Sequence, residues 1–299
     1  MNDHGHAASS RLTIAVVGAG SIGSTFAYYL ARAGHDVTAV VRPGSARLQQ
    51  LRRDGGVVLK NSDRAAVAVT DALDERTAYD LVVVTTLAYQ AEALLPVLHR
   101  SAARSIHLMF NNFHPEAMRD AIGVDRCTFG MPFVAASLDS SGKLDATVSA
   151  GRKTLHGDRR WADLFTSAGV PSRYEAEMPL WLRCHVPLCL GFESIAWMAE
   201  QKHAGATWGQ AMRVAHGVHG AFSLVKAQGT TLYPTSKKLL DALPDAVLAG
   251  MLWAFSRNRK FRELLATGAN ECRALVDEMQ AAVPTDTAAS RAVAAMRPS

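Results

Sequence analysis

Leu12-Thr13-Ile14-Ala15-Val16-Val17-Gly18-Ala19-Gly20-Ser21-Ile22-Gly23 sets an unbroken apolar run directly before glycines spaced Gly-x-Gly-x-x-Gly, and this order decides the fold. The apolar run reads as a buried strand. The glycine spacing reads as the turn into a helix on which a dinucleotide rests. Gly18 permits the tight turn, Gly20 lets backbone approach a pyrophosphate, and Gly23 lets the helix pack closely on the strand. The diphosphate then sits on the helix N-terminus, at the amides of Ser21 and Ile22. Phe26 and Leu30 continue at helical spacing, and a second apolar run, Val37-Thr38-Ala39-Val40-Val41, completes a βαβ unit.

At the end of that second strand a site for NAD(H) places Asp or Glu to accept the ribose 2′-hydroxyl. This chain has Arg42, with Arg47, Arg52 and Arg53 following. A guanidinium there suits a 2′-phosphate, so NADP(H) is the expected cofactor.

At 299 residues the chain exceeds one ordinary domain and suggests two. Hydrophobic content of 48% and charged content of 20% are those of a soluble globular protein. No apolar run approaches the roughly 20 residues of a membrane span. Residues Met1 to His6 lack the basic and apolar regions of a signal peptide, so the cytoplasm is the expected compartment. Cys127, Cys184, Cys189 and Cys272 are too few and too irregular for a disulfide framework, and four free thiols are expected. The net charge is +5, but Lys and Arg are spread along the chain and aromatics make up only 7%, which argues against nucleic acid. An anionic cofactor accounts for the balance.

Residues 1–10, small and polar, read as a disordered leader. Strands are expected at Val57 to Leu59, Ala65 to Val69, Leu81 to Val84 and Ile106 to Phe110, with a helix through Leu94, Leu95 and Leu98. The alternation means an α/β fold with a Rossmann-like, doubly wound parallel sheet. Short strands from Cys127 to Tyr174, with a helix near Trp161 to Ser167, close this domain. From about Met178 onward helical spacing dominates, through Trp181 to Met198, Trp208 to Val225, Ser236 to Leu248 and Arg259 to Ala282. The expected division is a nucleotide-binding Rossmann domain over 11–176 and an all-helical domain over 177–299 that holds substrate and offers surface for a homodimer.

With these stretches in place the chain resembles the ketopantoate reductase family, the NADPH-dependent 2-dehydropantoate 2-reductases. The resemblance rests on the glycine loop with Arg42, on Asp80-Leu81-Val82-Val83-Val84-Thr85-Thr86-Leu87-Ala88-Tyr89-Gln90, on Asn111 at a strand end, on Leu180-Trp181-Leu182-Arg183, and on Val283-Pro284-Thr285-Asp286-Thr287. It implies a cleft between the two domains in which NADPH reduces the ketone of a 2-oxo acid, with Thr86 and Leu87 in the turn beside the cofactor.

The chain departs from the family pattern where the chemistry is done. The family's first lysine falls on Leu87, and its catalytic lysine on Arg183. Its two asparagines fall on Pro187 and Gly191, and its serine pair near Met251-Leu252. Its later glutamate falls on Glu263 when one residue is gapped, otherwise on Arg262. A buried lysine can be tuned to give up a proton near neutral pH, whereas arginine cannot. Arg183 therefore suits holding a carboxylate or a developing oxyanion.

On a helix, Arg183, Pro187, Leu190, Gly191 and Ser194 share one face, so the expected substrate pocket is wide and apolar, with Pro187 bending the helix. His185 points to roughly the opposite side. His114 and Tyr89 stand at carboxyl ends of sheet strands, where ligands of open α/β folds bind, and are candidate proton donors. The Asn111 amide suits both nicotinamide and substrate carbonyl.

His216 with His219, and Cys184, His185 and Cys189, lack a complete ligand set, so no metal is expected. The basic stretch Arg257 to Arg262 reads as a solvated helix face. The expectation is an NADPH-dependent reductase of a small carbonyl or imine compound. A catalytically silent NADP(H) sensor and a genuine 2-dehydropantoate 2-reductase are the alternatives.

Overall fold

The structure is a computed structural model that describes residues 11–282 and 287–298. The expected leader and most of the Val283 to Thr287 motif lie outside the described residues. The chain divides into two compact units. One comprises the described residues up to Phe110 together with Glu116–Met178; the other comprises Asn111–Pro115 together with the chain from Pro179 onward.

In the first unit the chain runs β1 (Thr13–Val17), α1 (Ser21–Arg32), β2 (Asp36–Val40), α2 (Ala46–Asp54), β3 (Gly56–Val58), β4 (Arg64–Ala66), β5 (Ala68–Thr70) and β6 (Leu81–Val84). It continues through α3 (Ala88–Glu92), α4 (Leu95–Arg100), β7 (Ile106–Met109), α5 (Pro115–Ile122), β8 (Cys127–Met131), β9 (Ala135–Leu138), β10 (Leu144–Thr147), β11 (Thr154–His156), α6 (Arg159–Ser167) and β12 (Ser172–Tyr174). One sheet takes the order β12-β11-β8-β7-β6-β1-β2-β5, parallel except where β11 meets β8. β2 and β6 flank β1 on opposite sides, so the winding reverses there, and the carboxyl ends of β1 and β6 form the switch point at which such sheets bind ligands.

β6 and β7 are buried at every position, as strands covered on both faces must be. Phe26 of α1 meets Phe165 of α6 edge-on at 5.0 Å within the core. The run expected as one strand from Ala65 to Val69 divides: β4 turns back on β3 as a hairpin, and β5 joins the sheet beside β2.

β7 and β11 bury a histidine pair. His107 Nε2 lies 2.9 Å from His156 Nδ1, and Thr128 Oγ1 and Ser172 Oγ close the two ends at 2.8 and 3.2 Å. Burial pushes His107 well below its ordinary value and His156 down to about 3, so both rings are neutral.

The second unit is helical: α7 (Met178–Glu200), α8 (Trp208–Ala227), α9 (Thr235–Asp241), α10 (Asp245–Arg257), α11 (Arg259–Leu265), α12 (Ala269–Ala281) and α13 (Ala288–Ala294). The single helix expected over Ser236 to Leu248 is interrupted, because Pro244 has no amide with which to continue α9 and instead caps α10. That expected over Arg259 to Ala282 breaks at the 3-10 turn Ala266–Gly268, where a Cβ on Gly268 would stand 2.9 Å from the Glu193 carboxyl carbon. α7 continues through Pro187 from Met178 to Glu200. Gly217 and Gly220 let α13 approach α8 closely, since a Cβ at Gly217 would meet Met296 Cγ at 2.4 Å. All four cysteines are free and buried. Among the described residues no single helix is long and apolar enough to cross a membrane.

Candidate active site

Each glycine of the opening loop has its own reason. Gly18 adopts φ +94°, and an added Cβ would press on Thr86 Cγ2 at 2.9 Å; at Gly23 it would stand 1.9 Å from the Gly18 carbonyl oxygen. Those two are needed by the fold. Gly20 is not: nothing lies within 4 Å of where its Cβ would be. Its space opens outward at the N-terminus of α1, whose first turn carries no side-chain cap and no acidic residue. A helix start of this kind attracts an anion.

The turn after β6 is fastened to this loop. Thr85 Oγ1 donates to the Gly18 carbonyl at 2.7 Å, a contact that sequence reasoning missed. Beside it Thr86 buries a hydroxyl oxygen that has no hydrogen-bond partner among the described residues. Leu87 caps α3, and its amide donates to Gln90 Oε1 at 3.3 Å; Tyr89 is exposed. An unpartnered buried hydroxyl beside an open, uncapped helix start fits a nucleotide phosphate.

The arginines after β2 separate by role. Arg47 Nε donates to the Ala19 carbonyl at 3.0 Å, and its terminal nitrogens donate to Ser24 Oγ at 2.6 Å and to the Gly142 carbonyl at 2.7 Å. Burial pulls its guanidinium down to about 10. Arg47 thus ties α2 and the β9–β10 turn to the glycine loop. Arg42 is exposed and makes no side-chain hydrogen bond among the described residues.

In the second unit a polar stripe runs along α7 through His185, Cys189 and Glu193, one turn apart. The Cys189 thiol donates to Asn111 Oδ1 at 3.1 Å, and Asn111 Nδ2 donates to Glu271 Oε1 at 2.9 Å. The amide is therefore pinned from both sides. Burial raises the Glu271 carboxyl, and the bond from Asn111 partly offsets this. Glu193 is raised well above the usual carboxylate range by its own burial and by Glu271 beside it, which favours the protonated acid. Its Oε2 has no partner among the described residues.

At the other end of the stripe Lys237 of α9 donates from Nζ to His185 Nδ1 at 3.0 Å and lies 5.4 Å from the centre of the Trp181 ring. Burial drives its amine down to about 8.

The residues expected from sequence distribute as follows. Asn111, His114 and Arg183 gather on one segment: Arg183 Nε donates to the Phe113 carbonyl at 3.3 Å, and the His114 ring lies 4.8 Å from that of Phe113. Pro187 and Gly191 do not join them. Gly191 packs toward Val218 of α8, bordering an apolar cavity of about 170 Å³ with Leu188, Phe192 and Leu252. Ser194 Oγ donates to the Met296 carbonyl at 2.8 Å. Glu263 stays outside the cluster as well, paired with Arg259 at 2.6 Å on an exposed face of α11; the glutamate that reaches Asn111 is Glu271. His216 and His219 both face Asp245.

Lys237 and Glu271 escaped sequence reasoning. Nothing local separates Lys237, which is buried, from Lys238, which is exposed.

Residues 14–158 match the family described as ketopantoate reductase PanE/ApbA. Among solved structures, the chain is similar to a PanE/ApbA family ketopantoate reductase from Ralstonia eutropha JMP134, with TM-score 0.72 and 17% identity over 96% of this chain and 97% of that one. It is similar to D-mandelate dehydrogenase in complex with NADH, with TM-score 0.71 and 14% identity over 96% and 97%. A probable 2-dehydropantoate 2-reductase from Bacillus subtilis superposes with TM-score 0.67 and 18% identity over 95% and 99%. No curated protein matches the sequence significantly. At such identities the likeness is one of fold.

Proposed function

Residues 14–158 of this chain belong to the ketopantoate reductase family, and from that premise we propose that the protein is an NADP(H)-dependent oxidoreductase reducing a small carbonyl or imine compound other than ketopantoate. The observation that carries the reading is Gly20, whose missing side chain serves no packing need of the protein and opens space at an uncapped helix start.

Bound there, a dihydronicotinamide supplies hydride to the substrate. The residues of the chain do the rest. Amides of Ser21 and Ile22 hold the diphosphate, Thr86 donates its orphaned hydroxyl to it, and Arg42 pairs with the 2′-phosphate. Asn111, held between Cys189 and Glu271, keeps one N–H and one carbonyl lone pair for ligand. Arg183 holds an anionic oxygen of the substrate. An arginine at position 183, where the family has its catalytic lysine, supports a substrate other than ketopantoate.

The test is calorimetric titration with NADPH and NADH, followed by near-ultraviolet monitoring of NADPH oxidation with a panel of 2-oxo acids, aldehydes and cyclic imines. Tighter binding of NADPH and turnover of at least one compound are expected. Tight binding without any turnover would leave a nucleotide-binding protein without chemistry, and absence of binding would overturn the reading.

A further inference from the structure

Lys237 is 5% exposed, in a helical core, and no carboxylate among the described residues pairs with it. From α7 it is faced by His185 at 3.0 Å, by the Trp181 ring, and by the thiols of Cys184 and Cys189, whose charged forms would raise it. His185 is itself pushed far down by burial and by Lys237, so its ring is neutral and accepts at Nδ1. An ammonium buried without a counter-charge is unfavourable, and a leucine or methionine there would remove that cost. Such sites cluster where chemistry is done.

The position of the lysine suits one task. His185 and Cys189 stand one turn apart on α7, so the ammonium that bonds the first and the Asn111 amide that bonds the second lie along the same stripe. We propose, on the basis of the reductase reading above, that Lys237 is a catalytic residue, the one that hands a proton to the substrate atom held at Asn111. In that step the carbonyl carbon accepts hydride from a dihydronicotinamide, which leaves oxidised. The C=O π pair moves onto oxygen, an N–H bond of the ε-ammonium breaks and an O–H bond forms. The neutral amine left behind, still beside His185, recovers its proton from solvent. In the oxidative direction the same amine takes the proton. A proton donor working near pH 8 suits this task, as an arginine at position 183 does not.

The experiment uses the full chain, NADPH and whichever carbonyl compound of the panel is turned over fastest. Lys237→Met, which keeps the volume of the side-chain stem, is expected to lower kcat about 100-fold while NADPH affinity stays within about twofold. For wild type, kcat of reduction falls as pH rises through about 8, and this limb is absent in the variant. Lys237→Ala is expected to regain part of its rate when ethylamine is added, which a packing role would not allow. Undiminished kcat with the alkaline limb intact in Lys237→Met overturns the assignment and leaves the reductase reading standing. A wild-type chain that binds NADPH and reduces no carbonyl overturns both.

Discussion

Asn111 Nδ2 donates to Glu271 Oε1 at 2.9 Å, joining residues 160 positions apart in the chain. Asn111 follows β7 by two residues, whereas Glu271 lies in the first turn of α12. Within the helical unit this amide supplies a donor to a buried acid that has no other side-chain donor among the described residues. Asn111→Ala should destabilise the protein by about 3 kcal/mol, because both Glu271 and Cys189 lose a partner inside the core. Urea unfolding followed by tryptophan fluorescence measures this, and a loss under about 1 kcal/mol would mean that water replaces the amide.

The three glycines should separate folding from ligand binding. Gly20→Ala, with open space around the new methyl and an ordinary φ of −66°, should leave the melting temperature unchanged and weaken NADPH binding about tenfold or more. Gly23→Ala should instead unfold the loop, its Cβ colliding with the Gly18 carbonyl oxygen. Thermal melts and calorimetry on both variants decide; equal melting losses would remove the distinction.

Arg42→Asp should reverse cofactor preference, lowering NADPH affinity about 10- to 100-fold and improving that of NADH, as a carboxylate repels the 2′-phosphate and accepts from the 2′-hydroxyl. An unchanged ratio of the two dissociation constants would return Arg42 to the solvated surface.

The His107–His156 pair makes stability depend on pH. Both rings have folded values below the ordinary 6.5, so the unfolded chain binds their protons first. Their contribution is complete above about pH 6.5 and is lost as pH falls below that, for His156 down to about 3, by up to about 1.4 kcal/mol per pH unit for each ring. Urea midpoints between pH 7.5 and 4.5 should decline, and His156→Phe should flatten the decline. A wild-type midpoint constant over that range would mean the rings titrate normally.

What the sequence disclosed was local. The Gly-x-Gly-x-x-Gly turn is legible because each glycine answers a backbone constraint within a few residues, and Asn111 is legible because it ends an apolar strand. What escaped depends on how helices dock. Arg183, Pro187 and Gly191 do share a helix face, but Gly191 packs against α8, and the polar groups meet along His185, Cys189 and Glu193, nearly half a turn away. Glu263 and Glu271 sit on helices on either side of the Ala266–Gly268 turn, and the packing exposes one and buries the other beside Asn111. Periodicity also ran through Pro244 and Gly268, where the helices break.

Because Asn111–Pro115 belongs to the helical unit while the residues on either side do not, the backbone passes between units after Phe110, after Pro115 and after Met178. Phe113, fully enclosed, is part of the helical core. A fragment cut at the last crossing therefore carries a hole where a phenylalanine was. A hybrid gene spliced there would hand one parent's asparagine to the other parent's glutamate. The helical half is therefore not transplantable without the five residues that an earlier stretch of chain lends it.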